Sequence, residues 1–256
     1  MKIPNNAQIL ILPVNTGVLT AGYKNQAYYD YWKLVHYGID ISLTEDNRST
    51  NARQLWGSGN GTVKAAGYDN IFGNVIVTVY KNVYVHGLGK AMNVTLRLYH
   101  LDKIYVKAGQ AVTTASVLGL MGNTGKYTSG MHVHCEFDSD TVYTTSVPGL
   151  AGNSNIMKKG VDSTIDPANV FFIKTDSPDK QTLTLSKNAY ADSAYLARFP
   201  LYPDCITKDV QWALEIPAQT CYFSGEQEAK AAAAVIVNIK DRSGSHLKAV
   251  AEAKIR

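Results

Sequence analysis

The chain has 256 residues, of which 45% are hydrophobic and 18% charged, enough apolar side chain for at least one sizeable core and too much for a disordered chain. Its 25 Lys+Arg and 21 Asp+Glu give a net charge of +4, too small to point to nucleic acid, although mild basicity suits a polyanionic surface. Three scattered cysteines, Cys135, Cys205 and Cys221, exclude a disulfide framework and a thiolate metal site; Cys205 and Cys221 could pair.

The first residues lead only into a short apolar run, Ile9 to Val14, so no secretory signal peptide is visible. No apolar run approaches the roughly 20 residues that span a bilayer. From Gln8 to about Lys174 the sequence reads as strands: Ile9 to Leu12, Thr62 to Ala65, Asn74 to Tyr80, Val94 to Tyr99 and His132 to Phe137 are β-branched and aromatic runs punctuated by Gly, Asn and Asp. His86-Gly-Leu-Gly-Lys90 lies between two of them as a hairpin connection, so pairing is expected to be mostly antiparallel.

The polar, Pro-containing stretch Lys174 to Lys180 marks an expected boundary. Beyond it, Gly225 to Ile239 is rich in helix formers, and Ser243-Gly-Ser245 breaks it before a second expected helix from His246. The expectation is a mainly β protein: an antiparallel β-sheet groove or sandwich over residues 1–174, and a small α+β accessory domain of unassigned role over 175–256.

Two short motifs concentrate the chemistry, His36-Tyr-Gly-Ile-Asp40 and His132-Val-His134. Strand alternation puts His132, His134 and Glu136 on one face and Val133, Cys135 and Phe137 on the other, which makes Cys135 a core residue. Three of the four groups His36, Asp40, His132 and His134 would suit zinc, leaving a fourth position open for water as catalytic zinc requires. Isolated His86 and His246 read as structural or surface histidines. Gly119, Gly122, Gly125 and Gly130 precede the His132 strand and read as a cleft wall built from tight turns. Tyr99 and Tyr127 read as packing residues.

These motifs, in order with Pro13-Val14, Gly61 to Gly67, Gly73 to Val77, Tyr99-His-Leu101, Val106 to Val112, Leu118 to Gly125 and Ile165-Asp-Pro167, resemble the lysostaphin/LytM-type zinc metallopeptidases, a family of bacterial peptidoglycan endopeptidases. The resemblance covers roughly residues 9 to 173. It implies that Zn2+ is held by His36, Asp40 and His134, with His100 and His132 as catalytic histidines, and that the substrate is a peptide stem or cross-link of peptidoglycan. Glu136 is a candidate for orienting a ligand ring. The resemblance departs from the family in longer connections over Leu43 to Gly59 and Asp138 to Asp162.

The resemblance implies action at the bacterial cell wall by a monomer. With no visible signal peptide, delivery is expected by a phage tail, by holin-assisted release, or after removal of a leader. The competing expectation is a catalytically silent wall-binding scaffold or amidase activator on the same fold.

Overall fold

A computed structural model describes residues 3–4, 6–141, 160–176, 178, 180–202, 212–216 and 219–223. Packing divides the chain into two compact units, one of Pro4–Asp204 and one of Met1–Ile3 with Cys205–Arg256. Within the larger unit, β1 (Leu10–Ile11) and β2 (Thr16–Ala21) precede a short helix, α1 (Gln26–Trp32), and β3 (Ile39–Ser42). Next come β4 (Gln54–Trp56), β5 (Gly61–Asp69) and β6 (Gly73–Val85), joined by a 3-10 turn over His86–Leu88 to β7 (Lys90–Leu101). Three short strands follow, β8 (Lys103–Ile104), β9 (Ala111–Val112) and β10 (Val117–Leu120), and then β11 (Val133–Asp138). The unit closes with β12 (Thr164–Ile165), β13 (Phe171–Lys174), β14 (Thr182–Tyr190), a single turn α2 (Ser193–Leu196) and β15 (Leu201–Tyr202).

The fold is mainly β, as expected from the strand-like text, and the hairpin at His86 joins β6 to β7 as read. Nine strands form the principal sheet, in the order β14-β2-β3-β11-β7-β6-β5-β9 with β12 beside β11. Two three-stranded sheets, β1-β13-β15 and β4-β10-β8, accompany it among the described residues. Most pairs are antiparallel, but β1 with β13, β13 with β15 and β14 with β2 are parallel.

The core follows from period-2 alternation. Ile39, Ile41, Leu96, Leu98, Val133, Cys135 and Phe137 from the large sheet join Leu10, Leu55, Leu118 and Phe171 from the smaller ones, and Leu12 just beyond β1, in one buried cluster. Fully burying an aliphatic or phenyl side chain contributes about 1.5–3 kcal/mol, so this cluster fixes which face of each strand turns inward. Cys135 lies in it, free and fully buried.

The boundary expected near Lys174 is corrected. β14 returns to the principal sheet and pairs in parallel with β2, with Gln181 at its start donating to the carbonyls of Leu12 and Val14 at 2.7 and 2.9 Å. A polar Pro-containing stretch can thus be a loop that leads a strand home, and the larger unit extends to Asp204. The smaller unit shows an antiparallel hairpin of β16 (Trp212–Ile216) and β17 (Gln219–Phe223). The expected helices over Gly225–Ile239 and from His246, the pairing of Cys205 with Cys221, and most of the long connection after Asp138 lie outside the described residues. Among the described residues no helix is long and apolar enough to cross a membrane.

Candidate metal centre and its cleft

The face of the principal sheet opposite the core carries the chemistry, because strand register stacks it in rows. His134 lies opposite Asp40 on one side and Tyr99 on the other, and Glu136 lies opposite Arg97. His36 precedes β3 and reaches the same point. Gly38 makes that approach feasible: a Cβ there would sit 2.3 Å from the Cys135 carbonyl and 2.7 Å from His134 Nε2, distances that no larger residue tolerates. The glycine of His36-Tyr-Gly-Ile-Asp40 is therefore part of the site.

The three sequence-assigned donors meet. His36 Nε2 is 3.0 Å from His134 Nδ1 and 3.1 Å from Asp40 Oδ1, and His134 Nδ1 is 2.9 Å from the same oxygen. Among the described residues, His36, Asp40 and His134 form a group able to hold a metal ion. Tetrahedral ligands about 2.0–2.1 Å from a zinc-sized ion stand about 3.3–3.4 Å apart, so the triangle has nearly the required edge. Its electrostatics also favour a cation. Burial alone would raise Asp40, yet the charges of His36 and His132 and hydrogen bonds from His134 and His36 hold it well below the usual carboxylate range. Burial opposes protonation of His134, but Asp40 and Glu136 raise it to about 9. The pocket stabilises positive charge at the point where the three donors converge, so the residues fit a divalent metal.

Main-chain carbonyls set three of the tautomers. A carbonyl can only accept, so His36 Nδ1–H donates to Gly22 at 2.8 Å, His100 Nδ1–H to Thr124 at 2.9 Å and His132 Nδ1–H to Gly130 at 2.8 Å. Nε2 of His36 and Nε2 of His132 are left to face Asp40 Oδ1, at 3.1 and 3.7 Å. Stacking fixes the ring planes: Tyr28 lies 4.4 Å from His36, and Tyr99 lies 5.2 Å from His134 at 5° and is backed by Phe72 at 4.6 Å.

His100 reaches the cleft through a backbone irregularity. Alternation along β7 should place Tyr99 and His100 on opposite faces. Between the pairs Ile76↔Leu98 and Asn74↔Leu101, however, β7 contains an extra residue, and His100 adopts φ +67°. That bulge swings the imidazole to 4.8 Å from the His132 ring, a strained conformation of the sort that collects at working sites. Burial, with His132 and His134 adding, lowers His100 to about 4, so it is a neutral imidazole near neutral pH. His132 Nε2 stands 3.7 Å from Asp40 Oδ1, beside the donor triangle.

Behind His134, Glu136 Oε2 approaches Nε2 at 3.9 Å. Fully buried Arg97 in turn fixes Glu136 at 3.2 Å and Asp138 at 3.1 Å. Glu136, the sequence candidate for orienting a ligand, thus lies beside His134 Nε2 at a distance longer than a direct hydrogen bond. Arg97 was missed by the motif reading, although an arginine on the same alternation as Tyr99 and opposite Glu136 was an available signal.

The donors open into a cavity of about 390 Å³ bordered on one side by α1 and β14 and on the other by residues 126–132. Tyr127, expected to pack, is exposed and lines this second border. Gly125, with φ +97° and its Cα packed against the Gly73 backbone, gives the turn before it. His86 takes no part; it packs edge-on against Phe172 at 5.0 Å.

Residues 34–145 match Peptidase family M23, so the resemblance read from the motifs holds over that span. The chain is 30% identical to peptidoglycan DD-endopeptidase ShyC of Vibrio cholerae over 83 residues, 32% of this chain and 17% of that protein. It is 37% identical to peptidoglycan DD-endopeptidase ShyA of the same organism over 82 residues, 32% of this chain and 16% of that protein. The chain thus spans less than a fifth of either curated relative. A structure of lysostaphin from Staphylococcus simulans aligns with a TM-score of 0.40 at 22% identity, over 59% of this chain and 47% of that one.

Proposed function

We propose that the protein is a zinc-dependent endopeptidase that hydrolyses peptide stems or cross-links of bacterial peptidoglycan. The observation that carries this reading is the convergence of His36 Nε2, Asp40 Oδ1 and His134 Nδ1 within about 3 Å of one another, beside two further histidines, His100 and His132, each oriented by an Nδ1–H bond to a main-chain carbonyl. The M23 match and the named activity of the two Vibrio relatives supply the substrate class.

In this reading His36, Asp40 and His134 hold the ion. Bound there, zinc polarises the scissile carbonyl as a Lewis acid and lowers the pKa of a water toward about 7. His132 Nε2 takes the proton of the attacking water and returns it to the departing amine, a role open to an imidazole whose Nδ1–H is already committed to Gly130. His100, the more buried of the pair, is neutral with its Nδ1–H committed to Thr124, so its Nε2 can only accept, and it serves as a second acceptor on the same proton path. Tyr28 and Tyr99 hold the ligand rings in plane, and Glu136, fixed by Arg97, keeps a carboxylate beside the far nitrogen of His134.

Elemental analysis of purified protein, paired with turbidity clearing of isolated peptidoglycan before and after chelation, tests the proposal. One zinc per chain with chelator-sensitive clearing is the expected result. Metal-replete protein that leaves both isolated walls and cross-linked peptides uncut would overturn it.

A further inference from the structure

One border of the cleft consists of elements outside the family match at residues 34–145, namely α1 before it and β14 after it. α1 forms because the Asn25 side chain accepts from the Tyr28 N–H at 3.0 Å, and it stops where Lys33 turns left-handed at φ 55°. None of its residues is buried. Instead, Trp32 is 43% and Tyr31 67% exposed, close to one another at 4.8 Å, while Tyr31 lies 6.1 Å from Tyr190 of β14. A two-turn helix that leaves large rings in water beside a catalytic cleft keeps apolar area available for a ligand.

β14 contributes the polar part of the same border. Its pairing advances from Leu185 to Tyr190 while β2 advances only from Leu19 to Ala21, so three extra residues bow out of the ladder. The bow brings Ser186 and Asn188 into the lining, and Tyr190 re-anchors the strand by accepting from Gly22 N–H at 2.9 Å. Bulges that re-aim side chains at a site in this manner are functional features of sheets.

Apart from the metal donors, this border presents rings, hydroxyls and an amide and no charged lining residue: Tyr28, Trp32, Tyr190, Thr20, Ser186 and Asn188. The facing border carries Lys126. A stem peptide bears carboxylates and suits the lysine side. The glycan that carries the stems is neutral along its backbone, and each N-acetylated amino sugar offers a C–H face for stacking and a rim of hydroxyl and acetamido groups for Asn and Ser.

We infer that the α1–β14 border is a subsite for the glycan strand of peptidoglycan, with Trp32 as its stacking platform and Asn188 as its polar anchor. The inference rests on the peptidoglycan reading above and adds the part of the polymer that the protein grips. It makes the enzyme one that prefers stems still attached to sugar.

The test is calorimetric titration of the 256-residue chain with oligomers of N-acetylglucosamine, which are uncharged and offer the same N-acetylated sugar faces, a measurement in which no bond is cut. Saturable binding is expected, weakened about tenfold by Trp32→Ala and, separately, by Asn188→Ala. Tyr105→Ala removes a ring that is exposed away from the cleft lining and should leave the titration unchanged. As a second readout, the ratio of kcat/KM for a cross-linked peptide dimer with and without its disaccharides should exceed about ten in the wild type and fall toward one in both variants. No glycan binding, binding indifferent to both substitutions in folded protein, or tighter binding of free stem peptide that both substitutions weaken would overturn the inference. Binding by protein that cuts nothing would overturn the peptidase reading alone, and cutting without sugar preference would overturn this one alone.

Discussion

The two faces of β11 perform opposite tasks on the same six residues of backbone. Val133, Cys135 and Phe137 enter the apolar cluster, with Phe137 set edge-on to Phe171 at 4.7 Å. His134, Glu136 and Asp138 turn the other way into a buried polar layer of imidazole, carboxylate and guanidinium. One face is stabilised by area removed from water and is indifferent to proton positions; the other holds charge in a buried environment and is stable only where every charge has its partner. Period-2 alternation allows both within one strand. It also makes the two tasks separable by substitution, since neighbours in sequence report on different observables.

The largest effect expected is on the polar face. His36→Ala, Asp40→Ala or His134→Ala should abolish metal retention and activity together, read by elemental analysis and wall clearing. Next come His100→Ala and His132→Ala, which should keep most of the metal while lowering kcat about 10²–10⁴-fold; equal metal loss in all five variants would erase the distinction between ligands and proton carriers. Phe137→Ala attacks the apolar face and should cost about 3–5 kcal/mol in urea unfolding, with the metal-to-protein ratio of the folded fraction unchanged. Arg97→Met crosses the comparison, because it lies on the polar face yet should cost a similar 3–5 kcal/mol by leaving Glu136 and Asp138 buried without their counter-ion. The smallest effect is expected from Cys135→Ser, about 1–3 kcal/mol for a hydroxyl placed among hydrocarbons, with metal content intact.

How much of this was legible follows from the distance over which each feature is encoded. His132-Val-His134 declares its alternation within three residues, and the core position of Cys135 came from the same count. The convergence of His36 with His134 needed the antiparallel register of β3 on β11, which the motifs implied only through resemblance. His100 is a different case: a strict alternation would have turned it away from Tyr99, and only the bulge with its positive φ brings both to the cleft. The boundary at Lys174 failed because β14 pairs in parallel with a strand over 160 residues earlier, and a parallel partner leaves no hairpin signature nearby. α1 was overlooked for the opposite reason, being too short to show a helical period and lacking a buried face.

The carbonyls of Gly22, Thr124 and Gly130 that accept from His36, His100 and His132 have a genetic consequence. An acceptor that belongs to the main chain is present in every allele, so no point substitution at these three positions can delete it; only a shift of the loop can. Variation can therefore rewrite the side chains along both borders of the cleft, and with them what the protein grips, while the placement of its protons is inherited unchanged.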